Sequence, residues 1–232
     1  MEKQPRVSFV IPTLNSAKTL EACLSAILSQ RFPRESYEIV LADAGSSDET
    51  VAIARRMGVD TVVDNPLKTG EAGKAAGIKA SSGELIALVD SDNILPDESW
   101  LEQMVAPFRD ADIVASEPLM YTARKGDPAL TRYFAWLGMN DPLCLFTGNY
   151  DRLCAVTGRW TGLEVHQQDM GGYLKLMLVE EALPTIGANG FVFRRRLLEH
   201  VSWDPYFFDI DVMHQAVRAG FRTVAKVKAE IV

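Results

Sequence analysis

The chain has 232 residues, which allows one domain, or one domain with an appendage. Hydrophobic residues make up 47% and charged residues 24%, a balance that excludes disorder, a collagen-like fibre and a coiled coil. The formal net charge of -7 argues against nonspecific nucleic-acid binding, because a chain that neutralises phosphate chiefly by charge is basic.

Val7, Phe9, Val10 and Ile11 make a short apolar run ended by Pro12, which predicts a buried strand. The run is too short to be a secretory signal. Leu20, Leu24, Ile27 and Leu28 follow at helical spacing, with Asn15 or Ser16 as the N-cap. Residues 38–42 predict the next strand. Ser46 and Glu49 have capping-box spacing ahead of a helix that carries Val51, Ile53, Ala54 and Met57. Residues 60–63 suggest a third strand, 70–80 a helix of small residues, and 85–89 the clearest buried strand. Trp100, Leu101, Met104, Val105 and Phe108 form a helical stripe, and 113–115 add a further strand. This βαβ rhythm predicts an α/β fold, with a mostly parallel sheet and helices on both faces. Ligands of such sheets bind at the carboxyl ends of the strands.

The second half is less regular. Residues 126–165 are rich in aromatics and glycine, with Asp141-Pro142 and Gly148-Asn149 as breakers. Leu130, Tyr133, Phe134 and Leu137 form a helical stripe that is either core or a surface for a membrane or greasy acceptor. Phe146, Tyr150 and Trp160 leave the same choice open. A Gly-Ala-Asn-Gly turn at 187–190 precedes an apolar segment at 191–193. Arg194, Arg195 and Arg196 could face a phosphate or lipid headgroup, or simply water. A helix is expected over about 209–219. The sequence reaches Val232 inside an apparent strand, so a C-terminal continuation is expected. The three cysteines make no Cys-x-x-Cys pair, which points away from zinc or a disulfide framework and towards a reducing, cytoplasmic setting. No apolar run approaches the roughly 18 residues of a membrane span. His166, His200 and His214 do not form a metal spacing.

Candidate chemistry clusters after the strands. Asp90-Ser91-Asp92 follows the 85–89 strand directly, where two carboxylates can reach one hard cation, Mn²⁺ or Mg²⁺. The plain alternative is a solvated turn. Asp43 closes the second strand and can accept hydrogen bonds from a base or ribose, or brace its own turn; Asp48 reads as a helix-start residue. Gly70, Gly73 and Lys74 do not have P-loop or dinucleotide spacing, but Lys74 could meet a diphosphate. Asp209 and Asp211 flank the start of the last helix, as a general base or as helix caps.

Taken together, these residues resemble family 2 glycosyltransferases with the GT-A fold, across nearly the whole chain. Residues 7–15, ending Pro12-Thr13-Leu14-Asn15, resemble the family's first strand and Pro-Thr-x-Asn turn. Residues 38–48 resemble its second strand and Asp-x-Gly-Ser-x-Asp loop, and 83–92 its metal-binding Asp-x-Asp segment. Residues 187–190 and 209–221 resemble the acceptor-side loop and the catalytic-base helix. Phe208 stands where the family often has Glu, Gly73-Lys74-Ala75 where it has Ala-Arg-Asn, and Arg159-Trp160 lacks the Gln of processive synthases.

The resemblance implies a single domain over 1–232, with a nucleotide-sugar half (1–115) and an acceptor half (116–232). It implies Pro12, Thr13, Asn15, Asp43, Lys74, Asp90, Ser91 and Asp92 on the donor, and Asp92 with Asp90 on Mn²⁺ or Mg²⁺. Asn189, Gly190 and Asp211 would lie on the acceptor side, and Asp209 would be the catalytic base. The implied partners are a nucleoside-diphosphate hexose, GDP-mannose or a UDP-sugar, and a sugar or polyprenyl-linked acceptor at or near the cytoplasmic face of a membrane. A binding module without catalysis, a nucleotidyltransferase and a phosphatase are the rivals. Thr13-Leu14-Asn15-Ser16 lacks the Gly-rich basic loop of the second, and Asp90 lies far from the N-terminus for the third.

Overall fold

Alternation along each strand decides the layers. In β1 (Val7–Thr13), Val7, Phe9 and Ile11 join one buried cluster and Val10 joins the other. A strand with both faces buried belongs inside a sheet covered on two sides. The computed structural model describes residues 6–139, 143–148, 150, 152–187 and 189–232. After β1 come α1 (Leu20–Leu28), β2 (Tyr37–Asp43), α2 (Thr50–Arg56), β3 (Thr61–Asp64), α3 (Gly70–Ala80), β4 (Leu85–Leu88), α4 (Trp100–Val105) and β5 (Ile113–Tyr121). They are followed by α5 (Ala129–Leu137), α6 (Leu143–Thr147), β6 (His166–Asp169), β7 (Tyr173–Met177), β8 (Phe191–Arg194), α7 (Asp209–Arg218) and β9 (Thr223–Ile231).

Among the described residues, the strands form a nine-stranded sheet in the order β3-β2-β1-β4-β8-β5-β9-β7-β6. All run one way except β7 and β8, so the sheet is mostly parallel as expected. Core residues of α1, α2 and α4 pack on one face, and those of α3 and α7 on the other. The order reverses between β1 and β4, which opens a crevice at their carboxyl ends.

Several local expectations change. The cut at residue 115 falls within β5, and β8 from the second half sits between β4 and β5. The two halves therefore share one sheet. Neither Asn15 nor Ser16 caps α1, whose N-cap is Thr19; Asn15 instead adopts a left-handed φ of 52°. Ser46 does not cap α2 either, because its hydroxyl donates to Asp43 Oδ1 at 2.6 Å. Asp48 does act at that helix start, accepting the Thr50 N–H at 3.0 Å. Of the α5 stripe only Leu137 is buried; Leu130 is 62% exposed. Phe146 is 84% exposed, while Tyr150 and Trp160 are buried. The arginine triplet binds main-chain carbonyls: Arg194 those of Phe108, Asp110 and Ile113, Arg195 those of Ile78 and Gly83, Arg196 that of Ala111. Asp141, Pro142, Asn149 and Ala188 lie outside the described residues. Among the described residues, no helix is long and apolar enough to cross a membrane.

Candidate functional site

The crevice is floored by the turns after β1, β2 and β4. Asp43, buried at the end of β2, accepts from Thr13 Oγ1 (3.0 Å), Gly45 N–H (3.0 Å), Ser46 N–H (2.8 Å) and Ser46 Oγ (2.6 Å). Burial alone would raise its carboxyl, but the hydrogen bonds from Ser46, Thr13 and Gly45 hold it below its ordinary value. Four donors match the acceptor capacity of one carboxylate. Asp43 thus organises its own loop. Asn15 clamps that loop from the β1 side, donating its N–H to Ser46 Oγ (2.8 Å) and accepting from Ser47 N–H (2.9 Å).

Helix α3 lies tight on β1. A side chain at Gly77 would meet Val10 Cγ1 at 2.5 Å, and one at Gly73 would meet Pro12 Cβ at 2.8 Å. Glycines at i and i+4 share one helix face, so the helix backbone can approach the strand. Thr69 caps the helix by accepting the Ala72 N–H at 3.1 Å. This seating brings Lys74 to the crevice, where its ammonium lies 3.1 Å from both carboxylate oxygens of Asp209, at the start of α7.

Asp90 stands across from this pair, after β4. Burial pushes its carboxyl above the ordinary range; the Lys74 ammonium counters that, while Asp92, Asp209 and Glu71 push it higher. Those influences place Asp90, Asp92, Lys74 and Asp209 in one electrostatic neighbourhood. Beneath them Cys23 Sγ donates to the Asp90 carbonyl at 3.6 Å, and burial, with Asp92 and Asp90 nearby, raises its thiol to about 12. Ser91 shares a hydroxyl contact of 2.8 Å with Ser16, tying the β4 turn to the β1 turn.

Among the described residues, no group of three His, Cys, Asp or Glu side chains is placed to hold an ion by protein ligands alone. Asp90 and Asp92 nevertheless fit a hard cation that takes one or two carboxylates and fills its shell with substrate phosphate and water. A half-buried carboxyl pushed up by desolvation, with other carboxylates near it, is the kind of group such a cation relieves.

The acceptor-side residues separate. Asp211 is two residues from Asp209 on α7, so the two do not share a face. It accepts from Gln215 Nε2 at 2.8 Å on the surface, outside the cluster. Gly190 is a packing residue: its φ is 77°, its N–H donates to Leu88 O at 3.0 Å, and a side chain there would meet Ile231, Pro118 and Trp100. Asn189 offers its carbonyl to Arg152 at 3.1 Å.

That arginine belongs to a buried group absent from the sequence-based candidates. Lys226, Glu117 and Arg152 are 0%, 2% and 0% exposed. Glu117 accepts from Lys226 Nζ, from Arg152 at 3.0 Å and from the Gly187 N–H at 3.0 Å. Lys226 lies over the Trp160 ring at 4.6 Å, and Arg152 over Tyr121 at 5.0 Å. The only sequence hint was unlike charges at 117 and 226, which become visible as partners once β5 and β9 pair in that register. Beside Tyr121 opens a cleft of about 480 Å³, lined in part by Thr122, Arg132, Tyr133 and Trp136.

Comparison with known proteins identifies the family and the fold. The family described as Glycosyl transferase family 2 matches residues 8–201. "Glycosyltransferase AglE" of Haloferax volcanii is 32% identical over 142 residues, covering 58% of this chain and 46% of that protein. "Glycosyltransferase GlyG" of Streptococcus pneumoniae is 33% identical over 128 residues, covering 52% and 42%. The chain thus spans about half the length of these relatives. Among solved structures, mannosyltransferase PcManGT from Pyrobaculum calidifontis, in complex with GDP-Man and Mn²⁺, superposes with a TM-score of 0.65 at 20% identity, over 100% of this chain and 57% of that one. Glucosyl-3-phosphoglycerate synthase from Mycobacterium tuberculosis, with Mn²⁺ and UDP, gives 0.57 at 20% identity, over 97% and 70%. At such identity these structures establish the shared GT-A architecture.

Proposed function

The chain belongs to glycosyl transferase family 2, and on that premise we propose that it moves a hexose from a nucleoside-diphosphate sugar to an acceptor hydroxyl with inversion. The observation that carries this reading is the Lys74–Asp209 ion pair at the crevice, with Asp90 and Asp92 following β4 at its carboxyl end. The turn braced by Pro12, Thr13, Asn15 and Asp43 receives the nucleoside, and Ser91 lies on the diphosphate side. Mn²⁺ or Mg²⁺ held by Asp92 and Asp90 supplies charge neutralisation for the departing diphosphate. The Lys74 ammonium can serve the diphosphate as well as Asp209.

Asp209 takes the proton of the acceptor hydroxyl as that oxygen bonds to the anomeric carbon and the bond to diphosphate breaks. The developing charge has the oxocarbenium character of glycoside chemistry. The acceptor approaches beside the loop around Gly187 and Asn189, not beside Asp211. A polyprenyl-linked acceptor suits the aromatic face of α5 and the cleft holding Arg132 and Trp136. GDP-mannose is the first donor to test, ahead of UDP-hexoses.

The experiment is a panel of nucleotide sugars with Mn²⁺, read by thermal shift and by release of nucleoside diphosphate. Expected are a donor-specific shift and GDP or UDP release that rises with acceptor. Release of inorganic phosphate would instead indicate a phosphatase, and binding without release a catalytically silent module. Asp209→Asn is expected to lower turnover by ~10²–10⁴-fold while donor binding persists.

A further inference from the structure

We infer that Glu117 is a positioning residue for Asp209, acting through Gly187; this rests on the transferase reading above. The chain of contacts is short. Glu117 on β5 accepts the Gly187 N–H at 3.0 Å, and Arg152 donates to the Gly187 carbonyl at 3.3 Å. The peptide groups on both sides of Gly187 are therefore held by buried charges. Arg152 also takes the Asn189 carbonyl, so the network grips the loop at two places. Lys226, the register partner of Glu117 on β9, holds the other carboxylate oxygen.

Gly187 in turn forms the wall behind Asp209. Its φ is 131°, a region that disfavours side chains, and a Cβ there would lie 2.2 Å from Asp209 Cβ and 3.3 Å from Oδ2. The glycine therefore leaves no room for a side chain against the Asp209 Cβ. Asp209 is thus fixed from two directions: Lys74 draws its oxygens towards the crevice, and the Gly187 peptide limits retreat of its Cβ. Charge-assisted hydrogen bonds in a buried setting suit this task, because they tolerate little displacement. A general base must be placed within a few tenths of an ångström to be useful, and a shift of about 1 Å can cost ~10²-fold in rate. Glu117 touches no substrate in this account; it sets where the base stands.

The test uses the full chain, Mn²⁺ and the nucleotide sugar that the wild type turns over. Glu117→Gln keeps an acceptor for Gly187 but removes the charge; Gly187→Ala keeps the charges but pushes the wall forward. Both are expected to lower kcat by roughly 10–100-fold. Donor KM and Mn²⁺-dependent GDP or UDP binding should stay within about twofold of wild type. Wild-type kcat in either variant, or equal losses of kcat and nucleotide binding, overturns the inference. Should Glu117→Gln fail to fold, Gly187→Ala decides by the same split. Should the wild type itself release no nucleoside diphosphate, the transferase reading falls alone. Crystal structures of the variants then decide: Asp209 displaced from Lys74 upholds the positioning role, and an unchanged ion pair overturns it.

Discussion

Asp90, proposed above as a metal ligand, illustrates how such a residue works against the fold. Its carboxyl is half-buried and is raised by that desolvation; the Lys74 ammonium counters the effect, while Asp92, Asp209 and Glu71 add to it. Removing its charge should therefore stabilise the protein when no metal is present. Asp90→Asn is expected to raise the metal-free thermal midpoint by a few degrees and to abolish any midpoint shift caused by Mn²⁺. Differential scanning calorimetry with and without Mn²⁺ reads both effects. Asp90, Asp92 and Asp209 were legible in the sequence because they follow strands or open a helix at recognisable spacings. Glu117, Arg152 and Lys226 were not. Charged residues are almost never fully buried unless paired, and the pairing depends on β5, β9 and the 187 loop meeting in space.

At the scale of elements, the sequence pattern located α1 to α4 and β1 to β5, most of which bury an apolar face; β3, with no buried residue, and α3, read from its small residues, are the exceptions. It missed β6 and β7. All four residues of β6 are exposed and polar, so nothing alternates along it. It also stopped β5 at Ala115, although the strand continues past Pro118 through register shifts against β9. The seating of α3 was invisible too, because glycine leaves no hydrophobic trace. Gly77→Ala gives a sharp test of that contact. Alanine favours a helix by about 1 kcal/mol, but its methyl would press into Val10, and overpacking costs ~1–3 kcal/mol. A net loss of about 1 kcal/mol is expected in urea denaturation, with a smaller loss when Val10→Ala is added. A net gain would mean that the helix simply slides.

For the whole molecule, carboxylates at opposite ends of the sheet set the acid response. Glu38, buried near the start of β2, would be raised by burial, but Ser8, Ser82 and Arg6 hold its carboxyl below its ordinary 4.5. Asp43 at the other end of the strand lies below its ordinary 3.8. In both cases the unfolded chain takes up the proton first as pH falls. Their stabilisation is complete above the ordinary values and is lost as pH drops through the lowered folded ones. Asp90 has the opposite sign, because its folded carboxyl is raised: its penalty at neutral pH eases as pH falls. Thermal midpoints between pH 7 and pH 3 should hold near neutrality, then fall below about pH 4.5. Glu38→Gln should flatten that fall and lower the plateau at pH 7.

The place of β8 carries a last consequence. It closes the gap between β4 and β5, yet residues 191–194 leave the ribosome about a hundred residues after β4. Until then β4 keeps one unmated margin and β5 keeps both, open to pairing with other chains. The turn bearing Asp90 and Asp92 sits at the end of one of those margins. Translation therefore delivers the turn of Asp90 and Asp92 first, the strand beside it about a hundred residues later and the helix of Asp209 after that, so the proposed site waits on β8 and α7 for its assembly.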